Sequence, residues 1–169
     1  MKTLLFMRHG KSDWSIPTVP DADRPLSTRG IKDSKRMGRV LVRFDLVPDR
    51  MVSSPALRAT ETAVIMAEAC RAKEPAVIDE SLYNGEVEDT LNVIRRLPAD
   101  IEHPLIVGHN PSMEETAGYL LSGGRETGIK FPTAGLVCFL CGFSEWGSLD
   151  PGGCTLCWFL IPRLLKAVT

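Results

Sequence analysis

Short apolar runs alternate with helix-like stretches along this chain, and that alternation limits its fold more than any other feature. Residues 3–8 (TLLFMR) are an apolar run ending in charge, which reads as a buried strand. A loop with Pro17, Pro20 and Pro25 follows. Ser27 or Thr28 then stands as the N-cap of a helix to about Phe44, with Ile31, Met37, Val40, Leu41 and Phe44 on its apolar face. Residues 50–53 read as a second strand, after which Ser54 caps and Pro55 opens a helix to about Arg71. A third strand is expected at 76–78, a helix at 88–97 closed by Pro98, and another buried strand at 104–108. Asn110 and Pro111 repeat the cap-plus-proline opening, and Glu114 and Glu115 sit in the first turn where the helix dipole favours them. That helix ends near Gly123 and Gly124; strands at 134–141 and 155–161 and a short helix from Pro162 complete the chain. Strands separated by helices indicate an α/β fold whose mostly parallel sheet is covered on both faces.

The chain has 169 residues, which reads as a single domain over 1–169, long enough to bury roughly 70% of the surface an unfolded chain exposes. A net charge of −1 argues against a nucleic-acid or membrane-surface protein on the whole-chain field. No apolar run is long enough to span a bilayer. Met1 to Met7 is too short for a signal-peptide core, so a cytoplasmic protein is expected.

Parallel sheets place ligand sites at the carboxyl ends of their strands. Three strand ends carry reactive side chains: Arg8-His9-Gly10, then Ser53-Ser54-Pro55 with Arg58 in the next helical turn, then Gly108-His109-Asn110-Pro111. If these strands are neighbours, two histidines and two arginines converge. Guanidinium forks match phosphate oxygens, and helix N-termini add amide donors and positive dipole ends. A neutral imidazole in that field can attack phosphorus, and a second can donate to a phosphoryl oxygen. Arg58 also opposes its own helix dipole, a local cost that points to function. A lone histidine at a strand end is more often structural, and His103 is given no role. His9 and His109 stand apart because they recur at the same topological position.

Arg8-His9-Gly10 followed by Ser12 and Trp14 resembles the opening signature of the histidine phosphatase, or phosphoglycerate mutase-like, superfamily. Ser53-Ser54-Pro55 with Arg58, Ala59, Thr62 and Ala63 resembles its second signature, and Val107-Gly108-His109-Asn110 its third. The resemblance implies a three-layer α/β/α sandwich, with His9 as the phosphorylated nucleophile and Arg8, Arg58 and His109 forming the phosphate pocket. It implies no metal and no cofactor. Asp23-Arg24-Pro25-Leu26-Ser27 with Gly30 is most similar to the small SixA-type phosphohistidine phosphatases, which makes Arg24 a candidate substrate-facing cation. Ser15 and Asn110 are further candidate substrate contacts.

Two departures matter. Ser15 follows Trp14 where mutase-type members have asparagine, and Asn84 in Leu82-Tyr83-Asn84 stands where they have a general-acid glutamate. Glu80 and Glu86 flank that place and are the candidate substitutes. An alkoxide leaving group needs a proton as its bond breaks, whereas an imidazole is protonated at ordinary pH before cleavage. A site without an acid therefore suits phosphohistidine. Loops are short apart from 10–26 and 142–153, so little sequence is available for a lid, and an open pocket admits a side chain of another protein. The expected reaction is ping-pong through phospho-His9 on a phosphorylated protein. The alternatives are a broad small-molecule phosphomonoesterase acting on phosphate esters and a non-catalytic phosphate-binding module; all four core residues being present argues against the module.

A rival signal lies in Cys138, Cys141, Cys154 and Cys157, two C-x-x-C pairs with the spacing of a small zinc ribbon. Both pairs sit in strand-like runs, where residues three apart face opposite sides. Buried free cysteine also behaves as a small hydrophobe, so core packing is the favoured reading.

Overall fold

The apolar runs become one six-stranded sheet in the computed structural model, which describes residues 2–124 and 128–166. Its strands are β1 (Lys2–Arg8), β2 (Arg50–Ser53), β3 (Val77–Ile78), β4 (Pro104–Gly108), β5 (Leu136–Cys141) and β6 (Cys154–Leu160), in the spatial order β3-β2-β4-β1-β5-β6. The first four run parallel; β5 pairs antiparallel with β1, and β6 antiparallel with β5.

Helices α1 (Thr28–Arg43) and α2 (Leu57–Cys70) cover one face, and α3 (Val87–Arg95) and α4 (Ser112–Ser122) the other. Leu5 and Met7 point into the α1–α2 layer, while Leu4 and Phe6 point into the α3–α4 layer. Burial on both faces is why β1 and β4 read as unbroken apolar runs. The result is the three-layer α/β/α sandwich. Met66 and Met113 lie in the two cores. The tail after β6 forms α5 (Pro162–Lys166), whose Leu165 packs on the same layer as α1. Lys166 Nζ reaches the buried Asp33 carboxylate on α1 at 3.2 Å. No helix among the described residues is long and apolar enough to cross a membrane.

Three helix details differ from the sequence reading. Ile31 and Phe44 are exposed, and α1 instead turns Gly30, Ser34, Met37, Gly38 and Leu41 inward. Small residues belong there because α2 comes close: a Cβ on Gly38 would stand 2.6 Å from the Ala69 Cβ. Helix α2 begins at Leu57, two residues after Pro55, and α4 at Ser112, one after Pro111; Ser54 Oγ accepts the Ala56 N–H and meets His109, and the Asn110 amide binds Glu114 and the Phe131 carbonyl.

The cysteines pair across the β5–β6 hairpin. Cys154 donates to Cys141 at 3.1 Å in the α3–α4 core. Cys138 faces the other core, where burial and then the neighbouring Cys157 thiol push it up to about 12. The two pairs thus lie on opposite faces of the sheet, and the four sulfurs do not meet. Among the described residues no group of three or more ligand side chains is placed to hold a metal ion.

The close α1–α2 contact gives a stability prediction. Gly38→Val introduces a branched side chain where no space exists, and overpacking of this kind costs about 1–3 kcal/mol. Thermal denaturation should show a Tm lower by several degrees; an unchanged Tm would mean the helices are not in contact at Gly38.

Candidate active site

The reactive residues leave the sheet side by side at the carboxyl ends of β1, β2 and β4. Arg8 pairs with Gly108, and Ser53 with Val107, so His9, Ser54 and His109 emerge together. The two imidazole rings stand 4.9 Å apart, centroid to centroid. Arg58 enters from the first turn of α2. A cavity of about 400 Å³ opens here, lined by Arg8, His9, Arg58, His109 and Asn110 together with Lys11, Ser12, Trp14, Asp21 and Thr133.

The tautomer of His9 follows from its partner. Its Nδ1 lies 2.7 Å from the Gly10 carbonyl, which only accepts, so Nδ1 carries the proton and Nε2 the lone pair. Burial first, then the neighbouring His109, Arg58 and Arg8, lower its pKa to about 3, against the opposing pull of the Gly10 carbonyl. The ring is therefore neutral at physiological pH. Gly10 has no side chain because α1 passes over it: a Cβ would meet Ser34 Oγ at 2.9 Å and the Gly30 carbonyl at 3.0 Å.

His109 Nε2 lies 2.7 Å from Ser54 Oγ. Burial, then the Arg58 charge, lower its pKa to about 4. Its Nδ1 is buried with no hydrogen-bond partner, as is Arg8 Nε. When the Ser54 hydroxyl donates to Nε2, Nδ1 carries hydrogen, and two residues of the cavity wall then each hold a buried, unpartnered N–H. A tetrahedral oxyanion supplies the acceptors such donors lack.

Arg8 is held by donating from Nη1 to the Phe131 carbonyl at 2.7 Å. Asn110 donates to that same carbonyl at 3.0 Å and to Glu114 Oε1 at 2.8 Å. Glu114 Oε1 in turn accepts the Phe131 N–H at 2.8 Å. Glu114 thus fixes the segment that positions Arg8, besides lying in the first turn of α4.

Arg58 donates from Nη1 to the Asp21 carbonyl and from Nη2 to Asp21 Oδ2, the latter at 2.9 Å. The Tyr83 hydroxyl donates to the same Oδ2 at 3.0 Å. Burial works against ionisation of Asp21, but the hydrogen bonds from Arg58 and Tyr83 outweigh it and hold the carboxyl below its usual range. Sequence reasoning passed over Asp21 because it sits in a proline-rich loop without periodicity, 37 residues from its partner. Ser54 reads from the sequence as a helix cap and part of the second signature, and its contact with His109 gives no sequence signal.

The remaining candidates fall elsewhere. Arg24 is buried, stacks on Trp14 at 3.9 Å, and donates to the Ile16 and Pro17 carbonyls; it clamps the loop and does not line the cavity. Ser15 is exposed, with its N–H on Asp13 Oδ1. Glu80 is exposed and outside the cavity. Glu86 and Asn84 line a second cleft of about 430 Å³ that shares His109 and Asn110 with the first. The backbone N–H of His103 binds Asp49, far from the cavity lining.

Comparison with known proteins agrees with this geometry. Residues 4–115 match the family model of the histidine phosphatase superfamily (branch 1). An uncharacterised protein of Mycobacterium tuberculosis is 30% identical over 164 residues, which cover 93% of this chain and all of that protein. A Nakamurella multipartitia structure named "Putative Phosphohistidine Phosphatase SixA" superposes with a TM-score of 0.81 at 26% identity, covering 95% of this chain and 96% of the other. The protein histidine phosphatase SixA complexed with tungstate has the same fold, with a TM-score of 0.81 at 24% identity over 97% and 99% of the two chains.

Both site imidazoles are expected to stay neutral well below the usual histidine range. A pH titration of their ring protons by NMR should give midpoints of about 3 and about 4; midpoints near 6.5 would contradict the buried geometry. The linked effect on stability has a definite sign. Below about pH 6.5 the unfolded chain takes up protons that the folded rings refuse, so stability falls as pH drops from there toward 3–4.

Proposed function

The chain belongs to the histidine phosphatase superfamily, and we propose that it is a phosphohistidine phosphatase acting on a phosphorylated protein through a phospho-His9 intermediate. His9 Nε2 attacks phosphorus in line, the leaving nitrogen departs, and water then hydrolyses phospho-His9. Arg8, Arg58 and His109 hold the phosphoryl oxygens in both steps. The unpartnered Arg8 Nε and His109 Nδ1 support that role. Asn110 acts by holding the Phe131 segment, and no metal or other cofactor enters the scheme.

One observation carries the choice of substrate: among the described residues the cavity has no carboxylic acid placed to protonate a leaving group. Its single lining carboxylate among the described residues is Asp21, which Arg58 and Tyr83 keep ionised. Glu80 lies outside, and Glu86 lines the neighbouring cleft. An alkyl phosphate would have to expel an alkoxide unaided, a step general acids normally assist by 10²–10⁴-fold. A protonated phosphoimidazole needs no such help. The mouth is open, with Trp14 60% exposed on its rim, which supports entry of a histidine carried on a folded protein. The SixA neighbours named above point the same way. The second cleft, about 430 Å³ and sharing His109 and Asn110 with the first, favours the small-ester reading as the alternative, since it would seat the body of a small substrate.

The test compares phosphate release from a phosphohistidine-bearing phosphotransfer domain with release from p-nitrophenyl phosphate and sugar phosphates. Wild type should favour the phosphohistidine by orders of magnitude in kcat/KM, and His9→Ala should abolish turnover. Preferential turnover of sugar phosphates would establish the small-ester alternative instead.

A further inference from the structure

Asp21 is an anion on the wall of a site built for an anion; its Oδ2 holds Arg58, but phosphoryl transfer to His9 gives its Oδ1 no task. Resting on the phosphohistidine reading above, we propose that Asp21 forms the leaving-group subsite: its Oδ1 accepts the ring N–H of a phosphoimidazolium and selects substrates whose leaving group is cationic.

The geometry supports the assignment in three ways. First, Oδ2 is occupied by Arg58 and Tyr83, while Oδ1 takes no hydrogen bond among the described residues. The side chain is 53% exposed and lines the cavity wall. Second, the carboxylate is held in place. The Asp21 carbonyl also binds Arg58, a 3-10 turn runs over Asp21–Asp23, and Arg24 clamps the preceding loop through Trp14 and two carbonyls. Third, the adjoining cleft carries two further acids, Glu86 and Glu115, while the phosphate end carries Arg8 and Arg58. The acids stand in the cleft that shares His109 and Asn110 with the cavity, and Lys11 is the remaining cation of the cavity wall. A dianionic ester with a neutral body gains nothing from the acidic side, whereas a phosphoramidate with a positive ring is matched at both ends.

The chemistry balances without a proton transfer. His9 Nε2 forms a bond to phosphorus as the substrate's P–N bond breaks. The bonding pair returns to the substrate ring, which leaves as neutral imidazole because its other nitrogen keeps its hydrogen throughout. His9 becomes the phosphoimidazolium, with its own Nδ1–H on the Gly10 carbonyl. Asp21 thus does for the substrate ring what the Gly10 carbonyl does for His9: each holds the distal N–H while the proximal nitrogen exchanges phosphorus. A carboxylate strengthens this effect, since its charge favours the protonated ring.

The decisive experiment uses N-phosphoimidazole and p-nitrophenyl phosphate with wild type and Asp21→Asn. Both probes are small, so no partner protein enters the result. The ratio of their kcat/KM values should shift against N-phosphoimidazole by about tenfold to a hundredfold in the variant, the size of one charge-assisted hydrogen bond. The alkaline limb of kcat for N-phosphoimidazole should also move to lower pH, because the bound ring loses the anion that keeps it protonated. An unchanged ratio, whether both activities fall together or neither changes, would show that Asp21 only holds Arg58 and would overturn the assignment while leaving the phosphohistidine reading intact. Failure of the wild-type enzyme to turn over N-phosphoimidazole while it hydrolyses p-nitrophenyl phosphate would overturn both.

Discussion

The hydrogen bond between His9 Nδ1 and the Gly10 carbonyl sets where the reactive lone pair lies, and much of the surrounding structure serves to keep it there. The bond needs Gly10 to pass beneath α1 without a side chain. That in turn needs the Gly10 N–H to be taken by Thr62 Oγ1 on α2, at 2.9 Å. It also needs small residues where α1 meets the catalytic loop and α2. Gly30 and Ser34 provide the first, Gly38 the second. The glycine and serine pattern of α1 is thus part of the site's geometry, although none of these residues lines the cavity.

Burial accounts for the electrostatics as well. Two imidazoles between two guanidiniums would repel strongly if charged, and desolvation is the larger force keeping them neutral. A neutral pair can be packed with rings 4.9 Å apart and tilted 52° to one another on the wall of one cavity. The positive charge needed to hold a phosphoryl group then comes from Arg8 and Arg58. Asp21 and Tyr83 bind Arg58 from the outer side.

What was legible in the sequence was what the sheet imposes. Buried parallel strands produce unbroken apolar runs, their carboxyl ends mark the site, and Arg8, His9, Arg58 and His109 could be placed there from position alone. What depends on contacts between distant loops was not legible. Asp21 meets Arg58 across 37 residues and gives no periodic signal. Ser54 and Asn110 look like helix caps because their residue types suit that role, yet each side chain also reaches a distant partner, His109 for Ser54 and the Phe131 carbonyl for Asn110. Arg24 looked substrate-facing beside a loop of prolines; the exposed Trp14 ring and two loop carbonyls took it instead. The i, i+3 cysteine spacing was read correctly as strand geometry, but pairing across the hairpin requires the β5–β6 register, which no spacing reveals.

The central claim is that His9 attacks through Nε2 because Nδ1 is committed to the Gly10 carbonyl. Wild-type protein mixed with excess phosphohistidine substrate, quenched in alkali and digested, yields a phosphorylated peptide whose ring position can be read by NMR or by comparison with the two synthetic isomers. The account predicts phosphorus on His9 Nε2 alone. Phosphorus on His9 Nδ1, or a labelled peptide lacking His9, would contradict it.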